Sequence, residues 1–538
     1  MKEDALNLDK TGEETSQRRR IVFLWGVFTF ELIVLLVVQL PSIYSFSTFV
    51  FYDPGSFLCA DWLITQHFTP TVDFGYPYGL LSLIFGRGVF AIFDRAPEAY
   101  LAATLLLESV TALGLARLAA RWHWAVIVLL LAALPHALQP AYLALTHPLE
   151  GALLTHAFAD LFAGKRARAL ALTTACVFVK PSMAYALGLA LVILLAASLR
   201  RERWPGSAAH YIAPFVPAIL TGLACAALTA IYFGWLPLVN SVLPLVGLES
   251  YVALDFGFFG NGKSFWLPEG HGFNEFAWYY VTTPAGFWLM GTMSLGVWGV
   301  VALIPTQRAA NAAERETLIT LAACHFFFIF VMFAWPGSWT YYSYLLVAGV
   351  CLGLQLSRRR WLTLAPALLL AITGLTQTYL ASANNWRYSE PTLTTAGLWA
   401  DWQQREEWSR VIELARRRPL LFVHNGCASL FFPEVQTPEA YFLSPAMQTP
   451  REIASLRRQI EQSSVVVSFN QPSAVLDAWS WPEFADQRAH FETTWRGFYL
   501  TIHERKKPVL TPALKIRRPT DYPPASSRRS RRPAKRKD

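Results

Sequence analysis

Charge is scarce in this chain. Only 15% of its 538 residues are Asp, Glu, Lys or Arg, whereas 54% are hydrophobic and 14% aromatic. A soluble domain carries about 25% charged residues, so the composition argues against a soluble protein of this length. Repeated apolar runs near 20 residues point instead to a polytopic helical membrane protein. Cysteine pairing is also missing. Cys59, Cys176, Cys225, Cys324, Cys351 and Cys427 form no CxxC and no paired spacing, which argues against a zinc knuckle or a disulfide framework. No small-residue cleavage site follows the first apolar run, 21–40, so that run behind Arg18, Arg19 and Arg20 is a retained span rather than a signal peptide. The net charge of +9 falls in short clusters between apolar runs and in the tail, where it signals topology; no nucleic-acid partner is expected.

What is present begins with those clusters: 18–20, Arg117 with Arg121, 165–168, 200–203, Arg308 with Arg315, and 358–360. Short cytoplasmic loops carry the excess of Lys and Arg, so each interval between neighbouring clusters must hold an even number of crossings. The expected spans are 21–40, 99–116, 124–139, 148–163, 169–179, 183–199, 209–232, 284–304, 317–335, 342–356 and 361–380. Residues 79–93 are assigned to the external face, with a third crossing as the alternative. The hairpin 169–199 barely holds two crossings, and a single one would invert everything downstream. The expected fold is therefore mostly α: a transmembrane helix bundle of about eleven spans with long external loops at 41–98 and 233–282. Residues 1–20 form a cytoplasmic segment and 21–382 the membrane domain. Residues 383–504 read as a small extracytoplasmic α/β domain with a parallel sheet, because short apolar runs (419–426, 465–470, 497–504) alternate with helical ones (392–417, 450–462). Residues 505–538 are a basic tail of disordered character.

The stretch 52–81, YDPGSFLCADWLITQHFTPTVDFGYPYGLL, sets three carboxylates, two X-Pro turns and several aromatics directly after the first span. Carboxylates are costly in hydrocarbon and useful at its edge, where a water-filled pocket meets a lipid-borne substrate. An Asp shortly after the first span, an aromatic-rich stretch and then D-F-x-Y-P-Y-G-L resembles the first external loop of GT-C glycosyltransferases, a superfamily that includes bacterial protein O-mannosyltransferases and lipid A aminoarabinose transferases. The resemblance covers the N-terminal two-thirds as a hydropathy pattern. It implies transfer of a sugar, with inversion, from a polyprenyl-phosphate donor to a lipid, glycan or protein acceptor at the outer face of the cytoplasmic membrane.

The resemblance also implies roles. Asp53 matches the acidic residue at the start of the first loop and is the expected base, although an Asx turn before Pro54 explains it as well. Glu150, with His147 nearby, matches an acidic position that assists the first-loop Asp; THPLE (146–150) also reads as a Thr-capped helix start. A divalent cation held by Asp53, Glu150 and His147 is left open. Lys180, alone between two apolar helices and followed by Pro181, matches the contact to the carrier phosphate, and a snorkelling Lys would look the same. Asp73, Tyr76 and Tyr78 line DFGYPYG, with Tyr76 standing where the aminoarabinose transferases have Lys. Asp61 reads as a solvated-face residue. In the second loop Lys263 and His271 could hold acceptor or carrier, and GNGKS lacks the first Gly of a phosphate-binding loop. Tyr341 and Tyr342 occupy the place of Arg-Tyr in several relatives. A flippase or transporter is the alternative, disfavoured because no internal repeat is visible; a glycan ligase or polymerase is another.

Overall fold

The computed structural model describes residues 53–93, 97–119, 144–201, 212–243, 312–334, 342–356, 402–424, 434–441, 449–470 and 478–507, with isolated positions besides. Helices dominate it: α1 Asp53–Thr65, α2 Leu81–Phe93, α3 Pro97–Ala119, α4 Thr146–Phe162, α5 Arg166–Val177, α6 Pro181–Arg201, α7 Val216–Phe233, α8 Trp235–Val242, α9 Ala312–Ala334 and α10 Ser343–Leu356. Pro97 and Pro181 open their helices, where the missing N–H costs nothing and the fixed φ suits the first turn. Thr104, Ser109, Thr111, Thr155, Thr173 and Thr317 each return a hydroxyl hydrogen bond to the carbonyl four residues back. Polar side chains thereby enter an apolar helix bundle already satisfied. Leu115, Phe158, Met183, Leu187, Leu321 and Leu346 join α3, α4, α6, α9 and α10 in one core.

The expectation of about eleven spans is overturned. Among the described residues two helices are long and apolar enough to cross a membrane, Ala99–Leu118 and Ala213–Phe233. Several of the other expected crossings form helices too short to span. At about 1.5 Å per residue the 12 residues of α5 reach about 18 Å, against a hydrocarbon thickness of about 30 Å. The 17 residues of α4 carry Glu150, His156 and Asp160, and α10 has 14 residues. Residues 81–93 form a 13-residue helix, also too short. The expected spans 124–139 and 284–304 lie outside the described residues, and 21–40 and 361–380 largely so.

The C-terminal part contains α11 Trp402–Arg417, β1 Leu420–Phe422, α12 Pro450–Gln462, β2 Val465–Phe469, α13 Ala485–Arg488, β3 Phe491–Arg496 and β4 Leu500–Arg505. The sheet order is β1-β2-β4-β3. Only β1 and β2 run parallel, Leu420 opposite Val465, with α12 as the crossover; β4 pairs antiparallel with β2 and β3. The wholly parallel sheet expected from sequence is therefore corrected. The turn 497–499 leaves too little chain for a crossover, and Glu407 of α11 accepts hydrogen bonds from the N–H groups of Phe498, Tyr499 and Leu500 there. The helix at 450–462 is anchored by a capping box, Thr449 with Glu452.

Candidate active site

Charge collects at the two ends of the α4–α5 pair. At one end Asp160 binds Arg117 Nη2 at 2.5 Å and Arg168 Nε at 3.3 Å, Arg117 also reaches His156 Nδ1 at 2.7 Å, and Arg166 makes two 2.6 Å bonds to Glu316. Basic clusters far apart in sequence thus share one layer. The opposite end, about 15 Å away along α4 at 1.5 Å per residue, holds the candidate site.

There α5 ends because Pro181 bars helical geometry at the residue before it, and the Lys180 N–H closes the last turn on the Cys176 carbonyl at 2.8 Å. This directs the Lys180 side chain inward, 6% exposed. Its ammonium lies 3.0 Å from Glu150 Oε2, 3.0 Å from His147 Nδ1 and 4.1 Å from the centre of the Tyr342 ring. Glu150 is wholly buried in the first turns of α4. An ammonium has no lone pair, so it donates to Nδ1, and His147 carries its proton on Nε2. The Tyr342 hydroxyl shares a 2.8 Å hydrogen bond with Ser182.

The YPYG segment covers this cluster. Its backbone is tied to the α5–α6 turn by Gly79 N–H to the Val179 carbonyl and Leu81 N–H to the Phe178 carbonyl, both 3.0 Å. Only glycine fits at position 79: a Cβ would lie 2.1 Å from the Phe178 oxygen. Tyr78 meets His147 edge-on with centroids 5.4 Å apart, Tyr76 meets Tyr78 at 5.7 Å, and Tyr441 of the C-terminal part meets Tyr76 at 5.8 Å. Upstream, His67 (φ 67°) and Thr71 (φ 63°) adopt left-handed backbone, costly for a β-branched residue. Asn240 holds the strained turn through the Thr71 carbonyl at 3.2 Å.

Six of the residues singled out in sequence therefore converge: Tyr76, Tyr78, His147, Glu150, Lys180 and Tyr342. Asp73 does not join them. It accepts the Thr69 N–H at 2.8 Å and pairs with Arg451 at 2.7 Å; partial burial raises its carboxyl, but these partners outweigh that and hold it below its ordinary value. Asp61 is buried against Arg87 at 2.9 Å rather than solvated. Thr146 does not cap α4: Leu145 is the cap residue, without a side-chain bond. Asp53 is the first residue of α1, its side chain outside the described residues, as are Lys263, His271 and Tyr341.

Sequence reasoning missed Ser182, Tyr344, Tyr441 and Glu452. Tyr344 stands beside Gly151, and its hydroxyl and Glu150 Oε1 are buried with no hydrogen-bond partner among the described residues. Nothing local to Tyr441 or Glu452 signals their position; both arrive from a separate part of the chain.

Of the residues offered for a divalent cation, Asp53 has its side chain outside the described residues, and Glu150 and His147 are engaged by Lys180. Glu150 and His147 both direct a lone pair at the Lys180 ammonium, which a dication would have to displace against its own charge. Among the described residues no group of three or more His, Cys, Asp or Glu could hold a metal ion. Compared with known protein families and with curated proteins, the chain matches none.

Proposed function

We propose that this chain is an inverting glycosyltransferase that passes a sugar from a polyprenyl-phosphate donor to a hydroxyl acceptor. The observation that carries this reading is the buried ammonium of Lys180 held between Glu150 and His147 beneath the YPYG segment. The acceptor oxygen attacks the anomeric carbon as the bond from that carbon to the phosphate oxygen breaks. The acceptor proton passes to Asp53, and the negative charge growing on the departing phosphate is met by Lys180. Glu150 and His147 fix the ammonium in place, and the rings of Tyr342 and Tyr78 pack against Lys180 and His147. A positioned charge in a water-poor site is worth far more to the transition state than one in solvent.

The membrane location belongs to the same proposal. The helix Ala213–Phe233 has 21 residues, only 11% of its apolar window buried inside the protein, and exposes Leu220, Leu223 and Ile231. Its length of about 32 Å at 1.5 Å per residue matches the hydrocarbon layer. Tyr232 and Trp235 sit at its C-terminal end, as interfacial aromatics do. The shared layer around Asp160 supports a cytoplasmic orientation for the basic end and an outward one for the site.

The test is incubation of the purified chain in proteoliposomes with radiolabelled polyprenyl-phosphate monosaccharides. Transfer to an acceptor is expected, abolished in Asp53→Asn and reduced at least about a hundred-fold in Lys180→Gln, both scored per amount of folded protein. Movement of the lipid across the bilayer without transfer would favour a flippase, and undiminished transfer in Lys180→Gln would remove Lys180 from the reaction.

A further inference from the structure

We infer that the C-terminal part of the chain is a wall of this site, with Glu452 and Tyr441 as the positioning residues that hold the YPYG segment over Lys180. The role assigned to Lys180 rests on the proposed function; the placement of the segment does not.

Glu452 is wholly buried and joins three backbone segments. Its Oε1 accepts the Tyr441 N–H at 2.7 Å, and its Oε2 accepts the Thr449 N–H at 2.9 Å and the Gly75 N–H at 3.3 Å. One carboxylate thus caps α12, fixes Tyr441 and ties down the residue before Tyr76. Two neighbours strengthen the tie: Thr449 Oγ1 donates to the Asp73 carbonyl at 2.6 Å, and Arg451 pairs with the Asp73 carboxylate while its guanidinium lies 4.3 Å from the Phe68 ring centre. Tyr441 continues the contact inward, since its ring packs on Phe74 and Tyr76 at 5.8 Å each. From Tyr441 an unbroken row runs through Tyr76, Tyr78 and His147 to the Lys180 ammonium. Helix capping alone does not require this arrangement, because a capping box accepts Gln in place of Glu.

That difference makes Glu452→Gln informative. An amide offers one oxygen, so whichever way it lies its NH₂ faces at least one of the N–H donors that the carboxylate receives. Either the Tyr441 tie or the Gly75 tie is lost, and a capping geometry survives only in the first case.

The experiment compares full-length Glu452→Gln, Tyr441→Ala, Tyr441→Phe and Arg451→Ala with the parent chain in detergent, without substrate. Hydrogen exchange is read over residues 69–82 and 450–462, and Lys180 is read by labelling with an amine-reactive reagent. The expected result is exchange over 69–82 faster by at least about ten-fold in Glu452→Gln and Tyr441→Ala, with Lys180 becoming labelled. Tyr441→Phe keeps the ring and should loosen the segment less than Tyr441→Ala. If Glu452→Gln also loosens 450–462, Arg451→Ala decides, because it cuts the Asp73 tie without touching the cap. Parental exchange over 69–82 and an unlabelled Lys180 in both Tyr441→Ala and Arg451→Ala would overturn the inference. Binding of a polyprenyl monophosphate to the same variants separates the two claims: a loosened segment with binding unchanged there and in Lys180→Gln would refute the proposed donor and leave the positioning role intact.

Discussion

Replacing Glu150 by Gln removes one charge from a pair that the fold has almost completely withdrawn from solvent, with side chains 0% and 7% exposed at 3.0 Å separation. At that distance and an effective dielectric of about 20, the Coulomb attraction is about 5 kcal/mol. Desolvating the two ions consumes several kcal/mol each, so the pair contributes little net stability compared with apolar residues of the same shape. The single variant is a different matter. It strands the Lys180 ammonium in a buried site beside His147 and the Tyr342 ring, at a cost of about 3–5 kcal/mol. Lys180→Met strands the Glu150 carboxylate, with a cost in the same range. The double variant Glu150→Gln/Lys180→Met leaves no buried charge and should regain most of the loss. Thermal unfolding of the four proteins in detergent, followed by intrinsic fluorescence, gives the cycle directly: two large decreases in melting temperature and a double variant close to the parent. Single losses below about 1 kcal/mol, or a double variant equal to the sum of the singles, would mean that the two groups do not form a buried pair.

Two further outcomes follow from particular contacts. Gly79→Ala must push the YPYG backbone away from the Phe178 carbonyl, breaking the ties at Gly79 and Leu81; the expected loss is about 2–4 kcal/mol with Lys180 opened to amine-reactive labelling, and a parental melting temperature would show that the close approach does not exist. In the C-terminal sheet His503 lies between Ser468 Oγ at 2.9 Å and Thr493 Oγ1 at 3.0 Å, where burial, assisted by the Arg496 charge, pulls its pKa down to about 4. The unfolded chain takes up this proton near pH 6.5 and the folded chain only near 4, so its contribution is complete above about 6.5 and is lost as pH falls towards 4, up to about 3 kcal/mol. Denaturant unfolding of the parent and His503→Gln across that window should show a shallower pH dependence in the variant, and an NMR titration placing His503 near 6.5 would end the explanation.

Much of the local structure could be read from residue order. The helix-like run at 450–462 and the apolar runs at 419–426 and 465–470 announced α12, β1 and β2, and Lys180-Pro181 announced the turn between α5 and α6. Both rest on short-range rules, a periodicity within one segment or a ring forbidding the next turn. The antiparallel β3–β4 pair was legible in principle from the short turn at 497–499 and was obscured by the alternation of strand and helix patterns before it.

The number of crossings failed for a different reason. Hydropathy reports whether a segment avoids water, and the protein interior satisfies that demand as well as lipid does; α5 is apolar because it packs among its neighbours, and its 12 residues are a length that composition alone did not reveal. The chain by itself determined which residues were chemically capable: an ammonium at 180, a carboxylate at 150, an imidazole at 147 and a pair of tyrosines beside a glycine that cannot be enlarged. Tertiary structure decided that these meet, that Asp73 is turned towards Arg451 instead, and that Tyr441 and Glu452 complete the wall. Such meetings depend on helix length and on packing between segments distant in the chain, and no periodicity within either segment encodes them.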